Sequence, residues 1–420
     1  MAAPIGKSTF AYVKHSLRKS IWGIRDARIV LPARAASTAG TSLSTITAML
    51  LLHDAGVGPL GIAALLAVMA VPTIATMGIA GRVADSVDSR TILVTCGIVQ
   101  AAACVVVGAL PVAAVVYATA FVIALAQAFS QPTWQALVPR IVGEERIGQA
   151  VAWQQGLSAI AGPLGAALGG ILYGAGAMQW AFWGDGIGYL ALTAAAVAIR
   201  SRRLPAARAG RDSWSTGIRI VARDRIVWPL FAAILVFVVL VEGINAVEVF
   251  LARDVLGATA WQYGLVELFA GAGALIGAFI AERMVRERQR IAGAVLGFGI
   301  AAIALVAAGA APSFWFYAAS VTGLSATFGL GNATFGALLT TRTPDDQRGR
   351  VYAALGGLAR TAGLIALAAG SLAGTVLGPR WTFIIAGALG AAVMAIVGIR
   401  LGAVRRAAPA PTGARRVSGA

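Results

Sequence analysis

Gly81-Arg82-Val83-Ala84-Asp85-Ser86-Val87-Asp88-Ser89-Arg90 is a short charged turn between two long apolar runs, 59–81 and 91–110. Each run approaches the roughly 20 residues that a helix needs to cross about 30 Å of hydrocarbon. A turn carrying Arg82 and Arg90 between two such helices belongs on the positive, cytoplasmic side. Working outward, ten further apolar stretches obey the same rule, at 29–52, 112–137, 148–173, 178–199, 226–252, 260–281, 291–310, 312–341, 351–377 and 380–402. With the N-terminus inside and the stretches alternating, every one of the 34 Lys and Arg residues except Arg34, Arg253, Arg360 and Arg380 falls on an inside segment. A wrong helix count would scramble that bias, so the charges specify topology and orientation together. The expectation is an all-α, multi-pass protein of the inner (plasma) membrane, with twelve transmembrane helices and both termini cytoplasmic.

Composition agrees. The chain is 59% hydrophobic and only 12% charged, with a mean hydropathy of +0.81, far from a soluble balance. A net charge of +17 would point to nucleic acid in a soluble chain. Here the cations sit in short loops, as topology determinants and contacts for anionic headgroups, so the bilayer is the expected partner and nucleic acid is not. Cys96 and Cys104 are too far apart along one helix for a disulfide.

The chain also repeats itself. Gly156-Leu157-Ser158-Ala159-Ile160-Ala161-Gly162 matches Gly357-Leu358-Ala359-Arg360-Thr361-Ala362-Gly363, and Gly169 and Gly370 keep the same offset of 201 positions. Gln131-Pro132-Thr133-Trp134-Gln135-Ala136-Leu137 pairs with Asn332-Ala333-Thr334-Phe335-Gly336-Ala337-Leu338. Matches in the same order imply two pseudo-symmetric halves. The expected organisation is a cytoplasmic tail 1–28, a six-helix bundle 29–199, an Arg-rich cytoplasmic linker 200–225, a second bundle 226–402 and a cytoplasmic tail 403–420. Parallel repeats with a site between them are a transporter design.

The turn from Gly81 to Arg90 resembles the signature of the major facilitator superfamily, a Gly, then Asp-Arg, then a basic cluster. Ser86 stands where Arg usually follows the Asp, and only Arg90 remains of the cluster. Gly162-Pro163-Leu164-Gly165 resembles the Gly-Pro signature of proton-driven exporters in that superfamily. The run Gln131 to Arg140 leading into Gly162-Pro163 is similar to the subgroup of the enterobactin exporter and macrolide efflux proteins. The resemblance implies the major facilitator fold, a cavity lined by helices 1, 4, 7 and 10, and a cytoplasmic gate at Gly81, Asp85 and Arg90. Physically, Gly81 permits close helix approach, and Asp85 can accept hydrogen bonds from Arg90. An ordinary surface pair is the plainer reading. Gly162 and Pro163 allow a helix kink.

Charges outside the loops mark a site, because each costs on the order of 3 kcal/mol or more at mid-bilayer. Arg34, Asp185, Glu242, Glu248, Glu267 and Arg360 qualify. Glu242 and Arg360 lie near the midplane, and Glu242 is the first expectation for a proton carrier, since desolvation favours a protonated carboxyl. Asp185 and Glu267, in the outer third, suit proton coupling and a structural role equally. Glu248, almost at the outer surface, reads as a solvated helix end.

Polar stripes agree with the cavity. Arg34, Thr38 and Thr41 share a face of helix 1; Gln127, Gln131 and Trp134 lie along helix 4; Glu242 and Asn245 lie on helix 7; Phe328, Asn332 and Phe335 lie on helix 10. Back-bonding of hydroxyls and plain interhelical hydrogen bonds compete with that reading. The whole suggests a secondary active transporter working by alternating access, with proton-coupled efflux of a sizeable amphipathic solute such as a drug, siderophore or natural product. Import of an organic anion by proton symport and a non-transporting sensor on the same fold are the alternatives. No enzyme is expected: His15 and His53 have no metal or nucleophile cluster, and no phosphate loop occurs. The expected requirements are a small-molecule substrate, protons and a proton gradient, with no cofactor or metal, and a monomer suffices.

Overall fold

The computed structural model describes residues 21–202, 214–222, 224–344 and 347–407. The remainder of the expected tails and linker, and the side chain of Asp85, lie outside the described residues.

Twelve long helices follow one another among the described residues: α1 Arg25–Asp54, α2 Pro59–Ser86, α3 Ser89–Ala109, α4 Ala113–Val142, α5 Ile147–Gly174, α6 Met178–Ala198, α7 Val227–Ile244, α8 Ala260–Glu282, α9 Glu287–Gly309, α10 Phe314–Arg342, α11 Arg348–Leu377 and α12 Pro379–Ala407. A short helix, Trp214–Ala222, lies in the linker. Eleven of the twelve are long and apolar enough to cross a bilayer. The exception is α10, diluted by glycines and hydroxyls. Its Thr322, Thr327 and Thr334 hydroxyls donate to carbonyls one turn back, at 2.8, 2.7 and 2.7 Å, so the polar groups are satisfied within the helix.

Large aliphatic side chains point outward around the bundle, with Ile187 67%, Ile365 69% and Val376 73% exposed. An apolar exterior over a bundle whose backbone groups are bonded within their helices along most of their length suits a lipid-facing surface.

Small residues set the packing. A Cβ on Gly169 would lie 2.6 Å from the Leu43 carbonyl oxygen, and one on Gly370 would lie 2.0 Å from that of Gly243. The repeated glycines thus seat α5 on α1 and α11 on α7, by the close backbone approach that drives helix association in lipid. The two halves meet along two seams. In the α5–α8 seam, Gly170 abuts Gly264 and Pro163 fills the space over Gly271. The α2–α11 seam holds a cavity instead.

One element departs from expectation. The stretch read as a single helix over 226–252 stops at Ile244, passes through a turn at 245–247, and resumes as a short turn, Glu248–Phe250, and a wider-wound segment, Leu251–Val255. Broken membrane helices occur where protein or a cavity re-satisfies the backbone.

Candidate functional site

The polar stripe of α1 meets α4. Arg34 donates from Nη2 to Gln131 Oε1 at 3.4 Å, and its guanidinium lies 6.0 Å from the Trp134 ring centre. Trp134 is 4% exposed, fixed in a core with Val30, Leu137 and Ile141. The Thr38 hydroxyl donates to the Arg34 carbonyl at 2.9 Å, the back-bonded alternative. Gln127 Nε2 donates to the Tyr189 hydroxyl at 3.2 Å, and that hydroxyl lies 3.2 Å from Thr41 Oγ1. Arg34, Thr38, Thr41, Gln127, Gln131 and Trp134 line one polar cavity.

Asp185 stands behind that wall. It is 1% exposed, and its carboxylate accepts from Thr41 Oγ1 at 3.3 Å and Ser44 Oγ at 2.7 Å. The contact is possible because a Cβ on Gly40 would lie 2.8 Å from the Asp185 Cα, so α1 and α6 touch through glycine. An apolar cavity with Leu65, Val107, Val116 and Phe182 in its wall lies on the other side of the carboxylate. Tyr189 and Ser44 were not singled out in the sequence. Tyr189 follows Asp185 by one helical turn on α6, which was the available signal.

A third cavity lies between the halves, where Thr41, Ser42 and Thr45 of α1 face Asn245, Glu248, Tyr263 and Glu267. Glu248 is no solvated helix end. It accepts a hydrogen bond from the Tyr317 hydroxyl at 2.6 Å, because the break after Ile244 resets the helical phase of the residues that follow. Thr41 lines all three cavities.

Glu242 lies elsewhere. It lines the α2–α11 seam cavity with Thr73, Val238, Arg360, Gly363 and Leu364, apart from the Arg34 cavity. Asn245 Nδ2 donates to Glu242 Oε2 at 2.9 Å, so Asn245 joins the seam cavity to the cavity between the halves. Arg360 is exposed and makes no hydrogen bond or ion pair among the described residues.

Helix α10 corrects the cavity list. Phe335 stacks on Phe231 and Phe328 packs against Phe237 and Phe298, so both belong to the core of the second half. Aromatic rings gain more from that packing than from a polar wall. Asn332 is exposed and lines none of these four cavities.

The expected gate is also revised. Among the described residues a Cβ on Gly81 would meet nothing within 4 Å, so none of their helices approaches closely there. Arg90 is committed to the end of α6, donating from Nε to the Ala196 carbonyl at 3.2 Å and from Nη2 to the Ile199 carbonyl at 2.6 Å. It caps orphan carbonyls at a helix C-terminus, where a cation is favoured. Helix α5 runs through Gly162 and Pro163 without interruption, and Pro163 contributes contact with α8.

At the opposite end from the basic loops, α1 and the extension of α7 are tied directly. His53 Nδ1 lies 2.9 Å from Asp54 Oδ1 and Nε2 lies 2.8 Å from Asp254 Oδ1. Arg253 Nη2 donates to Asp54 Oδ1 at 3.3 Å, and the Tyr173 hydroxyl donates to Asp54 Oδ2 at 2.8 Å.

Twelve membrane-length helices in two repeated sets, with polar cavities between and within them, define a multi-pass membrane transporter fold. The sequence matches the Major Facilitator Superfamily over residues 32–366 and again over 256–418, and the chain belongs to that family. It is a secondary transporter, not an enzyme. No curated protein matches it in sequence. The fold is similar to that of a POT family transporter in complex with 5-aminolevulinic acid, with a TM-score of 0.70 and 12% identity, covering 91% of this chain and 97% of the other. It is also similar to a POT family transporter in complex with a thioalcohol-conjugated peptide, with a TM-score of 0.68 and 13% identity, covering 90% and 96%. A bacterial homologue of the human lysosomal transporter Spinster, inward-facing and unoccupied, has a TM-score of 0.61 and 16% identity, covering 92% and 99%.

Proposed function

We propose that this chain exports a sizeable amphipathic organic solute across the inner (plasma) membrane in exchange for protons, by alternating access of its two halves. The observation that carries the reading is the position of Thr41. It hydrogen-bonds the buried Asp185 carboxylate while standing in the wall of the cavity lined by Arg34, Gln131 and Trp134. A change of charge on Asp185 therefore reaches the binding wall through one side chain. Coupling needs only that proton and solute favour different states or compete for one site.

Asp185 is accordingly our first candidate for the proton carrier, ahead of Glu242, which sits in the other seam with Arg360. Glu267 and Glu248 face the cavity between the halves and offer a route onward. The amide, hydroxyl, indole and guanidinium groups beside an apolar cavity suit a weakly polar organic molecule. The structural relatives crystallised with a small molecule and a peptide conjugate support a small organic substrate. The likeness of Gln131–Arg140 and Gly162-Pro163 to the enterobactin and macrolide exporters supports export. The charge bias of the loops supports cytoplasmic termini.

Import of an organic anion is the second reading. It is favoured by Arg34 and Arg360, which have no carboxylate partner among the described residues.

Proteoliposomes with an imposed pH gradient test the proposal, using a panel of siderophores, macrolides and dyes. Accumulation driven by the gradient is expected for wild type and lost in Asp185→Asn. Ligand binding without solute movement would make the chain a sensor, and undiminished gradient-driven transport by Asp185→Asn would remove Asp185 from the coupling.

A further inference from the structure

The geometry points to a proton-binding site at His53 that closes the end of the transporter opposite the basic loops. His53 and Asp254 stand 201 positions apart, at matching places in the two repeats. Both ring nitrogens of His53 contact carboxylate oxygens, Asp54 on its own helix and Asp254 on the extension of α7. An ionised carboxylate only accepts hydrogen bonds, and a neutral imidazole has a single N–H. Both contacts are therefore hydrogen bonds only when the ring carries two protons. A neutral ring with its proton on Nε2 keeps the Asp254 bond but sets the Nδ1 lone pair against the Asp54 carboxylate. The imidazolium is the form that holds both carboxylates without repulsion, and it tightens the link that Arg253 also makes to Asp54.

The surroundings fit a cation held there. The charged and titratable groups facing the ring are Asp54 from α1, Asp254 and Arg253 from the α7 extension, and Tyr173 from α5, which donates to Asp54. Two carboxylates thus balance one guanidinium and one imidazolium. The ring also lies 5.2 Å from the Phe250 ring, and its side chain is only 12% exposed. Asp254 is 55% exposed, so solvent reaches the cluster from that end. Deprotonating His53 removes one of the two bonds and leaves a lone pair facing a carboxylate.

A proton arriving from that side favours closure of the same side and returns the transporter to its opposite-facing state. This goes beyond the transport reading above, on which it rests only for which face of the membrane is the outer one.

The test uses the full chain in lipid nanodiscs, with Cys96 and Cys104 replaced by alanine and spin labels on Leu110→Cys and Pro312→Cys. These positions are exposed, in the α3–α4 and α9–α10 connections at the same end. The short-distance, closed population is expected to dominate at about pH 5.5 and to fall about tenfold relative to the open one by about pH 8. His53→Gln should flatten that step, and His53→Arg should hold the short distance at both pH values. Distances in the parent chain that do not change with pH overturn the proposal, as does an unaltered step in His53→Gln. Should His53→Gln not fold, Asp254→Asn is read instead: a step moved to lower pH supports the site, and an unmoved step overturns it.

Discussion

Thr41 and Asp185 lie 144 positions apart on α1 and α6, and their side chains meet at 3.3 Å. Ser44 donates to the other carboxylate oxygen at 2.7 Å, with Cys104 beside it. Hydroxyls can donate to the carboxylate and re-orient toward its protonated form. Asp185→Asn keeps an oxygen acceptor for one of the two hydroxyls and turns an NH2 toward the other, which can accept from it. Its fold, read as the melting temperature in detergent, should stay close to wild type while proton-driven transport is lost. Thr41→Val should weaken the link between pH and solute affinity, measured as the difference in solute Kd between acidic and neutral buffer.

Arg34 acts from the polar wall, held by Gln131 and the face of Trp134. Arg34→Gln is expected to raise KM most for substrates carrying a carboxylate or catecholate, since a guanidinium binds such groups with two parallel bonds. Trp134→Ala is a different lesion, because it opens a hole in the core and should cost about 3–5 kcal/mol. Thermal melts of the two variants separate recognition from packing.

The α5–α8 seam tolerates no side chain at Gly264, where a Cβ would lie 2.9 Å from the Ala166 carbonyl oxygen and 3.0 Å from the Gly170 Cα. Gly264→Val should destabilise the protein by about 1–3 kcal/mol, the usual range for overpacking. Gly81→Ala should leave the melting temperature unchanged or raise it slightly, since nothing among the described residues lies within 4 Å of that position. Alanine in a helix is also favoured over glycine by about 0.5–1 kcal/mol. If instead Gly81→Ala melts early, the open surroundings described for that turn are wrong.

Asp224 and Arg342 pair at 2.8 Å where the linker meets the second half. Burial alone pushes the Asp224 carboxyl up. The backbone N–H groups of Val227 and Ile226, followed by Arg342, outweigh it and hold the group below its ordinary value. A carboxyl with a lowered folded-state pKa contributes stability above its unfolded value near 3.9, and that contribution disappears as pH falls through the folded value. The difference in melting temperature between wild type and Asp224→Asn should be full at about pH 6 and shrink below about pH 4.

Arg90→Ala should release the Ala196 and Ile199 carbonyls at the end of α6 and cost about 1–2 kcal/mol, read from melting. A gate role would appear instead as a change in transport rate at unchanged stability.

The twelve spans and the internal repeat were readable from the linear chain. Lipid demands about 20 apolar residues per crossing and the Lys and Arg residues concentrate in every second loop, and both signals are carried by consecutive residues. The 201-residue offset was readable for the same reason, and Gly169 and Gly370 duly seat equivalent helix pairs. The stripes on single helix faces were readable as well, whereas the contact of Arg34 on α1 with Gln131 and Trp134 on α4 is seen only in the structure.

What only the tertiary structure decided was which charges share a cavity. Glu242 and Thr41 occupy matching places in the repeat, yet Glu242 lines the α2–α11 seam while Thr41 touches Asp185. Phe328 and Phe335 have the spacing of a cavity stripe and fill a core instead. The break after Ile244 turns Glu248 onto Tyr317. Periodicity shows which residues lie on one face of a helix, but it does not say what that face meets. The rotation of each helix about its axis, and any break along it, are set by packing against neighbours far away in sequence.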